Sequence, residues 1–447
     1  YIKITETPIS RLIPSLAIPT IISMLVTSIY NMADTFFVSR IGTSASAAVG
    51  VSYSLMSMIQ ALGFTLGMGS GNYLSRVLGS RDEEKAERIA STGFYSAILI
   101  GLLFAVVCLP NLDVLVRLLG ATDTIAPYAK DYAKYILIAA PVMTGSLAMN
   151  NLLRFQGLAV YAMIGITTGG ILNMILDPIF IFGFGMGVKG AALATIISQA
   201  VSCGWVLAFL TGKKTFLRIK KEYLKPVPSI VFPCLALGLS TFVMQSSESV
   251  ISVCFNSSLL KYGGDLAVGA MTILTSTMQF AMLPLQGIGQ GAQPIMSYNY
   301  GAKKVDRMKK TFKLHLAISL IYSTLFWLFV QLFPATFAGI FSSDPELVSF
   351  TAGALRIYCG AMFLFGIQLA CQMTFVAIGY AVCSIIVAVV RKFVLLLPLI
   401  FIVPMFVSNK TMGVYMAEPI ADAIAVTFTA ILFSIQFRKA LRKLEKA

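Results

Sequence analysis

Apolar runs of about 20 residues, the length an α-helix needs to cross a bilayer, recur from one end of this chain to the other, and no other feature restricts its fold as much. The hydrocarbon layer holds no water, so each run must satisfy its own backbone hydrogen bonds and reads as a helix. Between charged punctuation the runs fall at 12–38, 46–70, 89–110, 131–153, 159–183, 188–211, 228–256, 266–290, 313–334, 351–376, 382–407 and 413–436. The first run lacks the cleavage pattern of a signal peptide and begins a longer series, so it counts as a span. No hydrophilic block between runs is long enough to fold separately. Charged residues make up only 12% of the 447, against roughly a quarter in a soluble domain, and the mean hydropathy is +0.84. That is too little charge to coat a soluble particle. The expected fold is an all-α integral membrane protein of twelve transmembrane helices. Pro19, Pro178, Pro233, Pro284 and Pro398 fall inside spans. Each frees a backbone carbonyl and marks a kink that needs a partner or a cavity.

The formal net charge of +15 would raise nucleic-acid binding in a soluble protein. Here the positive-inside rule accounts for it. With both termini in the cytoplasm, 24 of the 34 Lys and Arg lie in cytoplasmic segments and eight on the opposite side. Arg391 and Lys392 remain, within the eleventh span near its inner end, where they are expected to snorkel to the interface. The single histidine, His315, begins the ninth span and reads as interfacial. The seven cysteines sit in or beside apolar runs without a CxxC or metal spacing, as small buried residues do.

The chain repeats itself. Pro19 and Asp34 recur as Pro233 and Glu248, Ala48-Val49-Gly50 as Ala267-Val268-Gly269, and Pro178 as Pro398. Gly67, Gly69 and Gly71 recur as Gly287, Gly289 and Gly291, with offsets that grow slowly from 214 to 220. This divides the chain into an N-terminal lobe (1–211), a cytoplasmic linker (212–227) and a C-terminal lobe (228–447). Each half holds an even number of spans, so the halves are parallel repeats related by a pseudo-twofold axis along the membrane normal, with the expected substrate path between them. The basic linker is suited to anionic lipid.

No nucleotide-binding signature is present: Gly212-Lys213-Lys214-Thr215 lacks the spacing of a phosphate-cradling loop, and the Gly-x-Gly-x-Gly runs sit at span ends, where close helix packing explains them. Uphill transport would therefore draw on an ion gradient. Ionisable residues within the hydrocarbon layer are costly and are functional candidates by default. Asp34 lies one turn beyond Tyr30 on the first span. Asp177 lies one turn beyond Asn173 on the fifth, and Pro178 frees the Met174 carbonyl. Carboxylate, amide and carbonyl form a hard-oxygen set able to bind a small cation or hold a proton; the alternative is that Asp177 only braces a kinked helix. In the second half Glu248 takes the place of Asp34, flanked by Ser246, Ser247 and Ser249. Glu418 and Asp422 lie one turn apart on the twelfth span, where Glu418, just before Pro419, could instead start the helix.

Together these stretches resemble the multidrug and toxic compound extrusion (MATE) family in its bacterial MepA-like branch. The matching residues are Tyr30-Asn31-Met32-Ala33-Asp34-Thr35-Phe36-Phe37-Val38, Gly79-Ser80-Arg81, Arg154-Phe155-Gln156-Gly157, and Asn173-Met174-Ile175-Leu176-Asp177-Pro178 running into Gly190-Ala191-Ala192. The second half contributes Gln293-Pro294-Ile295, Tyr298-Asn299-Tyr300-Gly301 and Glu418-Pro419-Ile420-Ala421-Asp422. The resemblance covers essentially the whole chain. It implies a monomeric secondary antiporter in a bacterial cytoplasmic membrane, exporting amphipathic, often cationic organic compounds in exchange for H⁺ or Na⁺ by alternating access, with no cofactor beyond the coupling ion. It carries a cation site, for H⁺ or Na⁺, onto Asp34, Asn173, Asp177 and Thr195. Glu248 and Asp422 match carboxylates that some relatives use. Gln372 stands where a repeat of Asn150 would be, and Leu397 where a repeat of Asp177 would be, so a second ion site copied from the first is not expected.

A lipid or lipid-linked sugar flippase is the competing transporter reading. It would line its cavity with cationic side chains, whereas the midplane here holds Met56, Phe64, Gln279, Met282 and Gln286, a flexible apolar wall suited to varied organic substrates. The major-facilitator loop pattern is not matched by Arg76-Val77-Leu78-Gly79-Ser80-Arg81-Asp82. A membrane enzyme is disfavoured by the lack of HExxH and of a nucleophile motif. A scaffold or receptor would not require two matched sets of kinks and carboxylates.

Overall fold

The computed structural model describes residues 8–39, 43–118, 125–211 and 228–446. All elements among the described residues are helical, and they trace twelve membrane-length segments. In the first half these are α1 (Ile9–Ser39), α2 (Thr43–Gly79), α3 (Glu83–Cys108), α4 (Ala126–Ile138 and Ala140–Phe155), α5 (Ala159–Pro178, continued by a π-helical turn over Ile179–Gly183) and α6 (Val188–Thr211). The second half begins with one long helix, Pro228–Gly301, broken at Gly264 into α7 (228–263) and α8 (265–301). It continues with α9 (Val305–Leu332), α10 (Pro345–Tyr358 and Phe365–Ala377), α11 (Ala381–Val389, a π-helical segment Val390–Leu396, and Leu397–Phe406) and α12 (Lys410–Lys446). By length and composition, eight of the described helices can each cross a membrane, or ten spans result if each bent pair is one. The break at Gly264 and the 37-residue α2 complete the twelve.

The breaks have local causes. Gly264 has φ +66° and ψ −156°, a region open essentially to glycine alone. The two parts of α4 meet at 52° just before Pro141, which cannot donate to the preceding turn. The α10 halves meet at 46°; there the Trp327 Nε1 of α9 donates to the Gly360 carbonyl at 2.9 Å and satisfies it.

The described residues form two compact units, one spanning Ile18–Gly238 and the other Leu239 to the C-terminus together with the start of α1 as far as Ala17. The core of the first unit gathers Leu55, Ile59, Ile136, Leu137, Met143 and Ala191. The core of the second gathers Phe255, Leu259, Leu274, Leu396, Ile400 and Tyr415. The duplication extends to single contacts. Ser75 of α2 donates its hydroxyl to the Phe155 carbonyl of α4, and Ser297 of α8 donates to the Ala377 carbonyl of α10 at 2.7 Å. The glycine runs serve close packing, as their position at span ends implies: a Cβ at Gly67 would press on Asn151, one at Gly289 on Met373, and one at Gly291 on the Ala17 backbone.

Candidate functional site

In the first unit, α1, α5 and α6, the helices that carry the residues expected to hold a cation, include close α1–α5 and α5–α6 packing. Glycines set the register. A Cβ on Gly190 would lie 2.7 Å from the Phe180 carbonyl carbon, so the start of α6 seats directly on the π-helical turn of α5. Further along the same antiparallel pair, Gly169 faces Ser198 and Ser202, and Gly165 faces Trp205 and Val206. Interpolating between these contacts places Thr195 opposite the stretch of α5 between Asn173 and Asp177. Gly170 on α5 receives α1, where a Cβ would meet Val26 at 2.9 Å and Tyr30 at 3.2 Å.

Asp177 is fully buried and Asn173 is 1% exposed. Both Asn173 side-chain atoms lack a hydrogen-bond partner among the described residues. A buried amide without partners costs about 1–3 kcal/mol, which an incoming cation or proton carrier would offset. The buried Thr195 hydroxyl donates to the Ala191 carbonyl at 3.1 Å, and its oxygen keeps lone pairs able to accept. The Tyr30 hydroxyl accepts from Gln199 Nε2 at 3.4 Å. Asp34 is one turn further along α1, about 5.4 Å; its side chain lies outside the described residues. Asn150 is buried on α4, donating to the Ser146 carbonyl at 3.0 Å, and its Oδ1 has no partner among the described residues.

The second unit holds a different arrangement. Arg391 donates from Nε to Asp422 at 3.0 Å and from Nη2 to Glu418 at 3.2 Å, with its guanidinium 4.6 Å from the centre of the Phe365 ring. Lys392 Nζ lies 2.7 Å from Glu248 Oε1. Both cations are buried. This corrects the expectation that they snorkel to the interface. They belong to the π-helical segment of α11, which widens the turn and keeps two successive side chains in the protein interior: Arg391 toward α12 and Lys392 toward α7. Glu248 thus has Lys392 as an ion-pair partner, and of the flanking serines Ser246 bonds back to the Val243 carbonyl at 3.4 Å. Glu418 lies well inside α12, which starts at Lys410, so it does not start the helix. His315 is likewise buried, and its Nε2 has no partner among the described residues. Sequence reasoning found every carboxylate here but missed both cations as their partners; two adjacent basic residues within an apolar span were the signal.

The remaining candidates divide by surroundings. Met56 packs in the core of the first unit, and Met282 packs against Leu285, Phe365 and Leu369 in the second. Gln286 is half-buried and Gln279 exposed. Gln372 is buried, with Nε2 3.4 Å from the Ser384 carbonyl.

The MatE family model matches residues 19–179 and 240–402, once in each half. This chain belongs to the MATE family of multidrug efflux transporters. The MATE assignment agrees with its relatives. A multidrug export protein MepA of Staphylococcus haemolyticus is 28% identical over 363 residues, 81% of this chain and 80% of the relative. The MepA protein of Staphylococcus aureus is 26% identical over 404 residues, 89% and 88% of the two chains. A crystal structure of a MATE transporter in a bent conformation superposes with a TM-score of 0.94 at 26% identity, covering 99% of each chain. The twelve-helix, two-lobe MATE fold expected from the sequence is the fold found.

Proposed function

We propose that this MATE chain is a monomeric secondary antiporter of a bacterial cytoplasmic membrane, with both termini in the cytoplasm, that exports amphipathic, often cationic organic compounds in exchange for H⁺ or Na⁺. The observation that carries this reading is the buried Asp177–Asn173 pair on α5, a helix packed against α6, which carries Thr195, and against Val26 and Tyr30 of α1, with Asp34 one turn beyond Tyr30. A carboxylate, an amide oxygen and a hydroxyl supply the hard oxygens that Na⁺ prefers, and the same carboxylate takes a proton in its place. Either ion neutralises a charge that is expensive to keep in the hydrocarbon layer. Occupancy therefore changes the stability of whatever conformation holds the site, which is the differential affinity that coupling needs. The named relatives are multidrug exporters, which supports organic substrates. A flippase would keep cationic side chains available for phosphate groups, whereas Arg391 and Lys392 are already paired with carboxylates.

The test is export of a cationic dye from proteoliposomes, with a pH gradient and a sodium gradient imposed separately. The wild type is expected to respond to at least one gradient. Asp177→Asn is expected to insert and fold normally while gradient-driven export falls about 100-fold or more, the scale of losing about 3 kcal/mol of coupling. Normal export by that variant would remove the ion-site assignment.

A further inference from the structure

The ion cluster of the second unit contains three carboxylates and two cations, so fully ionised it carries one negative charge in excess. Its members are unequal. Arg391 is clamped by two carboxylates and an aromatic face. Among the described residues Lys392 has one ion-pair partner, Glu248, and the two differ sharply in exposure: the Lys392 side chain is 8% exposed and that of Glu248 is 63%. A carboxylate this open within a transmembrane helix must face water or a ligand, because acyl chains cannot solvate it. The cluster also has an unused acceptor. Glu418 is 2% exposed, and its Oε2 has no hydrogen-bond partner among the described residues. Lys392 is adjacent on the same π-helical segment to Arg391, whose guanidinium reaches Glu418 at 3.2 Å.

We infer that Lys392 is a tethered competitor of the substrate: its ammonium occupies the exposed Glu248 carboxylate in the absence of substrate, and a cationic substrate binds by displacing it toward the free oxygen of Glu418. This rests on the export of organic cations proposed above and deepens it by naming a residue that sets cation affinity. The exchange moves no protons and breaks no covalent bonds. Before it, Glu248 faces an ammonium on a flexible four-carbon stem; afterwards it faces the substrate, and Lys392 satisfies an acceptor that had no partner. The incoming charge brings the cluster to neutrality, so a single positive charge is accommodated and a second is not. Lysine is suited to this task because its compact ammonium can change partners. The planar fork of Arg391, committed to two carboxylates, cannot do so without breaking both pairs. The internal cation also means that the empty transporter never leaves Glu248 bare.

The test measures binding of tetraphenylphosphonium, a cation that cannot lose its charge, to the purified full chain in lipid nanodiscs by calorimetry. Lys392→Met keeps the length of the stem and removes the competitor, so its affinity is expected to rise about fivefold, the upper end for one partly exposed ion pair. Lys392→Arg is expected to stay near wild type. Glu248→Gln is expected to bind weakly, and the gain of K392M is expected to vanish in K392M/E248Q. Unchanged or weaker binding by K392M, or a gain that survives in the double variant, would overturn the inference. If K392M does not fold, E248Q decides: wild-type affinity without the carboxylate also overturns it. Gradient-driven export by the wild type is scored separately. A wild type that exports dyes alongside a K392M variant of unchanged affinity removes only this inference; a wild type that neither binds nor exports the cation removes the antiporter reading as well.

Discussion

Arg391 shows how much one side chain can organise inside a membrane protein. It satisfies two carboxylates that sit one turn apart on α12, and the same guanidinium covers the Phe365 ring. Pairing of this kind contributes little net stability when compared with an apolar replacement, but removing one partner alone costs about 3–5 kcal/mol because it strands buried charge. We therefore expect Arg391→Met to lower the thermal unfolding midpoint markedly, and R391M/E418Q/D422N to recover most of the loss. A single variant as stable as the wild type would show that the carboxylates are already neutral. In the first unit Asn173, one turn before Asp177, has no hydrogen-bond partner among the described residues.

At the scale of elements, the fifth helix of each half carries the irregularity that makes its site. In α5 the π-helical turn Ile179–Gly183 follows directly on Asp177 and Pro178, and Gly190 of α6 packs against its backbone. In α11 the π-helical segment Val390–Leu396 precedes Pro398 and contains Arg391 and Lys392. Proline removes a backbone donor, and the wider turn re-routes the carbonyls that are left. Hydropathy located both helices, but it carries no register, and so it could not show that Arg391 and Lys392 face the interior from within a wider turn. The hinge between α7 and α8 depends on a single residue. A Cβ at Gly264 would meet nothing within 4 Å, so Gly264→Ala isolates backbone strain from steric clash. It is expected to destabilise the protein by about 1–3 kcal/mol, read from thermal unfolding; an unchanged midpoint would mean that the break relaxes to an ordinary helical turn.

For the whole molecule, the duplication and the charge asymmetry make one prediction about topology. Basic residues crowd the loop after α8, from Lys303 to Lys313, and the tail from Arg438 to Lys446. Reporter fusions after the C-terminal residue and within the 303–304 turn are expected to report the cytoplasm, and a fusion at 408–409 the opposite side. A reversed pattern would overturn the orientation. The sequence by itself determined the number of spans, their approximate limits, the duplication and the carboxylates worth testing, because hydropathy, prolines and charge act locally and leave their mark at short spacing. Tertiary structure alone decided which cation meets which carboxylate. Lys392 meets Glu248 across 144 positions and Arg391 meets Glu418 across 27, and such pairings follow from helix register and a widened turn, which no local spacing encodes. It also placed His315 in the interior, since burial depends on which helices pack around a residue and not on its distance from a basic loop.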